Sequence, residues 1–241
     1  MSEMLRLDKL LTELNAGTRS QVKAMISKGR VMVNDIPAKR PELKIDPKKD
    51  VIRLDHKQIS YARYEYYMLN KPAGCVSATQ DNLHQTVVDL ITGSDRTDLF
   101  PVGRLDIDTE GLLLITNDGE LAHNLLSPKK HVDKTYYAKI NGRVTNKDVS
   151  LFNEGVDIGE AANTKPAKLE IIAAGVISEV YITITEGKFH QIKRMFEAVN
   201  KEVEYLKRVR MGSLKLDDSL ALGAYRSLTT EELEQLKGQE K

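Results

Sequence analysis

The stretch Gly103–Leu126, "GRLDIDTEGLLLITNDGELAHNLL", decides how the rest of the chain is read. Its first part carries acids at alternate positions, Asp106, Asp108 and Glu110. Its middle, Leu112 to Ile115, is an unbroken apolar run that reads as a buried strand. Residues 119–126 follow as a short helix, which Pro128 prevents from extending. Asp106 therefore sits where a loop meets a buried strand. A carboxylate there is costly to ionise unless a cation pairs with it.

Working outward, further strands are expected at "YYML" (66–69), "TYYAKI" (135–140), "KLEII" (168–172) and "VYITIT" (180–185). Further helices are expected at 85–92 and 190–200, with a capped closing helix in the tail "TTEELEQLKGQEK". Strands and helices do not alternate strictly, and no internal repeat is visible. The pattern favours an α+β fold with a largely antiparallel mixed sheet and flanking helices over a doubly wound one.

The N-terminal region reads as a separate small unit. Leu7, Leu10, Leu11 and Leu14 follow the i, i+3, i+4, i+7 spacing of one helix face. Gly17 closes that helix, and Thr18 or Ser20 can cap a second carrying Val22, Met25 and Ile26 inward. "RVMVNDIPAK" alternates around Asn34-Asp35, a turn between short strands, and "VIRL" (51–54) offers one more strand. We assign residues 1–58 to this small α/β unit, 59–65 to a polar linker and 66–238 to the larger domain.

The net charge of +1 over 241 residues conceals an asymmetry. Residues 1–60 hold 13 Lys and Arg against 8 Asp and Glu, and residues 188–215 hold 8 against 3. Two basic patches on a near-neutral chain suit a polyanionic partner touched in two places. Arg19 and Lys23 lie four apart on an outward helix face, with Lys28 and Arg30 following. No apolar run approaches the roughly 18 residues of a membrane span. The single cysteine, Cys75, forms no internal disulfide, and the N-terminus lacks an export layout, so a cytoplasmic protein is expected.

The three acids admit several chemistries. A calcium loop needs a bidentate glutamate at its twelfth position, which here is Asn117. Zinc has no support, because the five histidines are scattered and Cys75 has no partner at ligand spacing. No phosphate loop or dinucleotide fingerprint is present. A glycosidase pair should flank a scissile bond, whereas acids on one extended segment approach from one side. The remaining reading uses one carboxylate with a cation from elsewhere. On the helix "EGKFHQIKRMFEAV", Ile192, Met195, Phe196 and Val199 form the apolar stripe. Lys193 flanks that stripe while Arg194 points more outward, which makes Lys193 the better partner for Asp106.

"GRLDIDTEGLLLITNDGELAHNLLSPKKHVDKTYYAKI" resembles the central motif of bacterial pseudouridine synthases, in particular those modifying small-subunit (16S) ribosomal RNA. "NKPAGCVSAT" before it, and "EGKFHQIKRMFEAV" with "VEYLKRVRMGSLKL" and "LALGAYRSLTTEE" after it, match other motifs of that family in order. Residues 1–58, through "LRLDKLL" and "TRSQVKAMISKGRVMVNDI", resemble the alpha-L RNA-binding domain shared by a ribosomal protein and tyrosyl-tRNA synthetases. The resemblance implies a catalytic Asp106, a base-stacking Tyr136 and a basic partner at Lys193. Alternation supports Tyr136 over Tyr137, since Tyr136 shares a strand face with Ala138 and Ile140.

By the same resemblance, Arg104 enters the RNA stack and helps expel the target, and Arg19, Lys23, Lys28 and Arg30 grip phosphates. Lys71 in "NKPAG" is expected to touch RNA phosphate. Neither a cofactor nor a metal is implied. The implied partner is ribosomal RNA, free or in an assembling particle, with a monomer as the default and no membrane. Two alternatives stay open at this point: a large-subunit (23S) target, and a non-catalytic RNA-binding assembly protein on the same scaffold.

Overall fold

A computed structural model describes residues 4–47, 49–59 and 61–238. The chain divides into two compact units. One runs to Glu65 and takes in Thr92–Leu99; the other comprises Tyr66–Ile91 and Phe100 onward.

The first unit contains β1 (Leu5–Arg6), α1 (Leu7–Glu13), α2 (Arg19–Ser27), β2 (Val31–Val33), β3 (Ile36–Pro37), β4 (Lys44–Ile45), β5 (Ile52–Leu54) and β6 (Lys57–Ile59). Strand β1 pairs with β4, and the others form an antiparallel sheet in the order β3-β2-β5-β6. The leucines at helical spacing meet their expected fate. Leu7, Leu10 and Leu11 are buried against Val22, Ile26, Val31 and Ile52. Thr18 caps α2 through a reciprocal box with Gln21. Asn34 and Asp35 both adopt positive φ, the backbone of a tight hairpin turn.

Tyr61, inside the expected 59–65 linker, packs on this core. The segment Thr92–Leu99 adds Arg96, whose guanidinium bonds Asp98 and the Ala62 carbonyl and lies over the Tyr61 ring.

The second unit contains β7 (Tyr66–Lys71), β8 (Phe100–Pro101), β9 (Glu110–Thr116), α3 (Gly119–Leu126), β10 (Lys134–Asn141), α4 (Asn146–Glu154) and β11 (Lys168–Ala173). It continues with β12 (Ile177–Ile184), α5 (Gln191–Glu197), β13 (Glu202–Met211), β14 (Leu214–Lys215), β15 (Tyr225–Ser227) and α6 (Thr230–Gly238). Seven strands line up as β11-β12-β10-β13-β9-β7-β15, with β14 on β13 and β8 on β9. Every pairing is antiparallel except β13 with β9. The sheet is thus mixed and largely antiparallel, as expected, with helices packed about it.

The parallel junction is short and depends on a glycine. Lys207 and Arg208 pair with Glu110 and Gly111. Gly111 has φ +97°, and a Cβ there would lie 2.3 Å from the Arg208 carbonyl oxygen. Only glycine lets β9 enter the sheet at this point.

The helix expected at 85–92 does not form. Thr86 makes an isolated bridge to Val76, and Thr86 and Asp89 exchange side-chain-to-backbone hydrogen bonds that hold a turn instead. Side-chain bonds of this local kind compete with helix, and β-branched Thr86, Val87 and Val88 weaken it further. The expected helix 119–126 forms as α3, and the one expected at 190–200 forms over the shorter α5. Strand β13 and helix α4 were not anticipated from the sequence. The end of the expected closing helix, beyond residue 238, lies outside the described residues.

Candidate active site

The loop from Gly103 to Thr109 leaves β8 and enters β9, which brings Asp106 to the rim of an open cleft. The cleft is lined by Asp106, Tyr136, Leu206, His190 and Lys193, among others. Its floor comes from neighbouring strands. Tyr136 on β10 is buried, and it shares a face with buried Ala138 and Ile140, as alternation requires. Leu206 on β13 lies opposite Ala138. Tyr137 faces the other way, where its hydroxyl donates to Glu179 at 2.7 Å.

The Asp106 side chain is 28% exposed, between burial and free solvation. Two potential cations face it from α5 and its N-terminal residue. Lys193 Nζ lies 3.7 Å from Oδ2, and His190 Nε2 lies 3.7 Å from Oδ1. Lys193 is thus within ion-pair range of Asp106, but its closer partner is Asp108, with Nζ 2.7 Å from both carboxylate oxygens. Partial burial pushes the Asp108 carboxyl up. Hydrogen bonds and charge from Lys193 outweigh that, so it stays below the ordinary carboxylate range. Asp108 is therefore the acid that anchors Lys193.

His190 is the residue immediately before α5; its backbone is left-handed, with φ +48°, and its side chain makes no cap bond. Its proximity to Asp106 had no sequence signal beyond its place three residues before Lys193.

Lys71 requires a correction. The residue is fully buried, at the end of β7, and cannot reach an RNA phosphate. Its ammonium donates to the carbonyls of Pro72, Asp106, Ile107 and Thr109 at 2.9–3.3 Å. Burial lowers its pKa below the usual lysine value. Lys71 thus fastens the Asp106 loop from beneath. The signal was its position at the end of an apolar strand, "YYMLNK", where an inward side chain must find internal partners.

Arg104 is exposed at the mouth of the cleft. In the first unit, Arg19, Lys23, Lys28 and Arg30 are all exposed. Arg19 and Lys23 line a shallow cleft with Arg6, Asp8 and Lys9. Arg30 differs from the others, because Asp55 already takes two of its donors, Nε at 2.8 Å and Nη2 at 2.5 Å. Among the described residues, no group of three or more His, Cys, Asp or Glu is placed to hold a metal. No helix among them is long and apolar enough to cross a membrane.

The family pattern described as RNA pseudouridylate synthase matches residues 65–198, and the S4 domain pattern matches residues 5–52. The chain belongs to the RNA pseudouridylate synthase family. Over 231 residues it is 49% identical to the uncharacterized RNA pseudouridine synthase YtzG of Bacillus subtilis, covering 95% of this chain and 97% of that one.

It is 39% identical to the ribosomal small subunit pseudouridine synthase A of Yersinia pestis (95% and 97% covered). To the protein of that name in Escherichia coli K12 it is 38% identical (95% and 98% covered). Among solved structures, a pseudouridylate synthase crystal structure matches with TM-score 0.68 at 38% identity, covering 96% of this chain and 99% of that one.

Proposed function

We propose that this enzyme isomerises a uridine of small-subunit (16S) ribosomal RNA to pseudouridine, with Asp106 initiating cleavage of the glycosidic bond. The observation that carries the reading is the setting of Asp106, half-buried between Lys193 and His190 at the rim of a cleft floored by Tyr136. The small-subunit target is supported by the names of the relatives at 38–39% identity, which match over nearly the whole chain.

The target uridine must first leave its stack, which costs a few kcal/mol unless it is already single-stranded. Tyr136 offers the expelled uracil an aromatic platform. Arg104, at the mouth, faces the strand from which the base departs. Asp106 then acts as the nucleophile or base that starts breaking the bond between ribose C1′ and uracil N1. The freed uracil turns and bonds to C1′ through C5. The C5 proton is lost and N1 gains one, so atoms and electrons balance without a co-reactant. Lys193, itself clamped by Asp108, keeps a positive charge beside Asp106 throughout. Arg19 and Lys23, with Lys28 and Arg30, hold phosphates elsewhere on the RNA, a contact that orients without reading sequence.

The test is turnover on two unmodified transcripts, small-subunit and large-subunit ribosomal RNA, followed by mapping of pseudouridine. The proposal expects a modified uridine in the small-subunit transcript alone. Modification confined to the large-subunit transcript overturns the target assignment.

A further inference from the structure

We propose that Phe189 and His190 form a second base-stacking subsite, which holds the nucleobase flanking the target uridine in the RNA strand. Phe189 is 75% exposed, in a loop otherwise fixed by polar contacts. It lies on the His190 imidazole with centroids 3.8 Å apart and planes 17° from parallel. One face of the phenyl ring is thus covered and the other is open to solvent. His190 in turn reaches Asp106 at 3.7 Å, so the two rings extend outward from the proposed reacting carboxylate. Both rings border a wider groove that continues from the cleft past Arg104 to Ser77 and Asp81.

The platform is held in place before any RNA arrives. Arg194 donates to the Phe189 carbonyl at 3.0 Å and to Glu160 at 2.7 Å. Lys188 binds Glu160 and the Ala162 carbonyl. His190 adopts a left-handed backbone, a conformation costly for a non-glycine residue and concentrated at functional positions. A rigid aromatic face beside a polar groove is how single-stranded nucleic acid is gripped without sequence readout. The ligand is therefore a nucleobase of any identity, adjacent to the uridine, whose former neighbour in the stack has left. Stacking on Phe189 replaces that lost contact.

The inference rests on the cleft being the uridine site, and the test separates the two. Wild type, Phe189→Ala, Phe189→Trp and Asp106→Asn are compared on the small-subunit and large-subunit transcripts. Phe189→Ala is expected to raise KM and RNA Kd about 5- to 150-fold, the range of one base–aromatic stack. The slope of log affinity against log salt stays unchanged, because no phosphate contact is lost. Phe189→Trp restores wild-type affinity, and the thermal midpoint of Phe189→Ala matches wild type, since the ring is exposed.

On a fragment carrying the modified uridine, an abasic ribose on one side costs wild type the same factor and costs Phe189→Ala nothing more. Wild-type KM and Kd in Phe189→Ala, or losses that add fully for abasic positions on both sides, overturn the platform alone. Full turnover by Asp106→Asn, or a wild-type chain inactive on both transcripts, overturns the site reading and the platform with it.

Discussion

Asp106 and Asp108 share one ammonium, but not equally. Lys193 is 2.7 Å from both oxygens of Asp108 and 3.7 Å from Asp106, so Asp108 fixes the cation while Asp106 keeps lone pairs free. Under the proposed chemistry, that division suits a reacting carboxylate, which must be ionised and still available. Asp108→Asn should loosen Lys193 and lower kcat on the order of tenfold, as small misplacements at reacting groups do. Single-turnover rates on a transcript check this.

The pair also predicts a pH dependence. The folded pKa of Asp108 is depressed, so the stability it contributes is complete above the ordinary carboxylate value, about 3.9, and is lost as pH falls through the lower folded value. The deficit of Asp108→Asn in urea unfolding should therefore be constant from neutral pH down to about 5 and close only at more acid pH. Alternation of the acids was legible in the sequence, as was Lys193 on the edge of its stripe. Which acid Lys193 grips was not, because that depends on a turn at 106–109 rather than on extended spacing. Lys71 escapes the sequence reading for a related reason: a lysine in the turn motif "NKPAG" reads as surface, and only the burial of the strand before it turns it inward.

At the scale of elements, the strands rich in β-branched and aromatic residues were readable, whereas β13 was not. "EVEYLKRVRM" carries charge on both faces, and its buried face includes Arg208, 2% exposed, which bonds the Leu112 carbonyl. A charged residue in the middle of a central strand erases the period-2 signal by which strands are recognised. Helix α4 hid similarly, since "NKDVSLFNE" buries only Asp148 and Phe152.

The junction of β13 with β9 makes Gly111→Ala the most disruptive small change in the sheet. Positive φ alone costs on the order of 1–3 kcal/mol. The 2.3 Å approach to the Arg208 carbonyl adds to that. A lowered thermal midpoint is expected, by about 2–4 °C per kcal/mol in a domain of this size.

Beside Arg208, burial and then the arginine's charge pull Lys134 down to about 8. Its folded pKa lies below the unfolded one, so the unfolded chain binds the extra proton and wild-type stability rises between about pH 8 and 10.4. Lys134→Met removes that slope. Its stability relative to wild type should be greatest at pH 7 and fall by on the order of 2–3 kcal/mol by pH 10.5, as urea midpoints will show.

For the whole molecule, the two basic patches read from the sequence fall on different units, 1–60 largely on the first and 188–215 on the second. The division of labour we propose, phosphate grip in the first unit and chemistry in the second, has a separable signature. Arg19→Ala with Lys23→Ala should weaken RNA binding uniformly and reduce the salt slope by about 1–2, with kcat at saturating RNA unchanged. Both residues are exposed, so folding is not at stake.

The whole-chain assignment was legible because long motifs occur in order, while the target nucleotide is a property of the RNA and leaves no mark on any single residue here. Whether Asp106 starts the isomerisation, as we propose, is decided by Asp106→Asn on an unmodified small-subunit transcript. Asp106→Asn is expected to give no detectable pseudouridine, with RNA Kd within about twofold of wild type, since the amide is isosteric and phosphate contacts supply most of the affinity. Pseudouridine formed by Asp106→Asn at a rate near wild type would contradict the proposal.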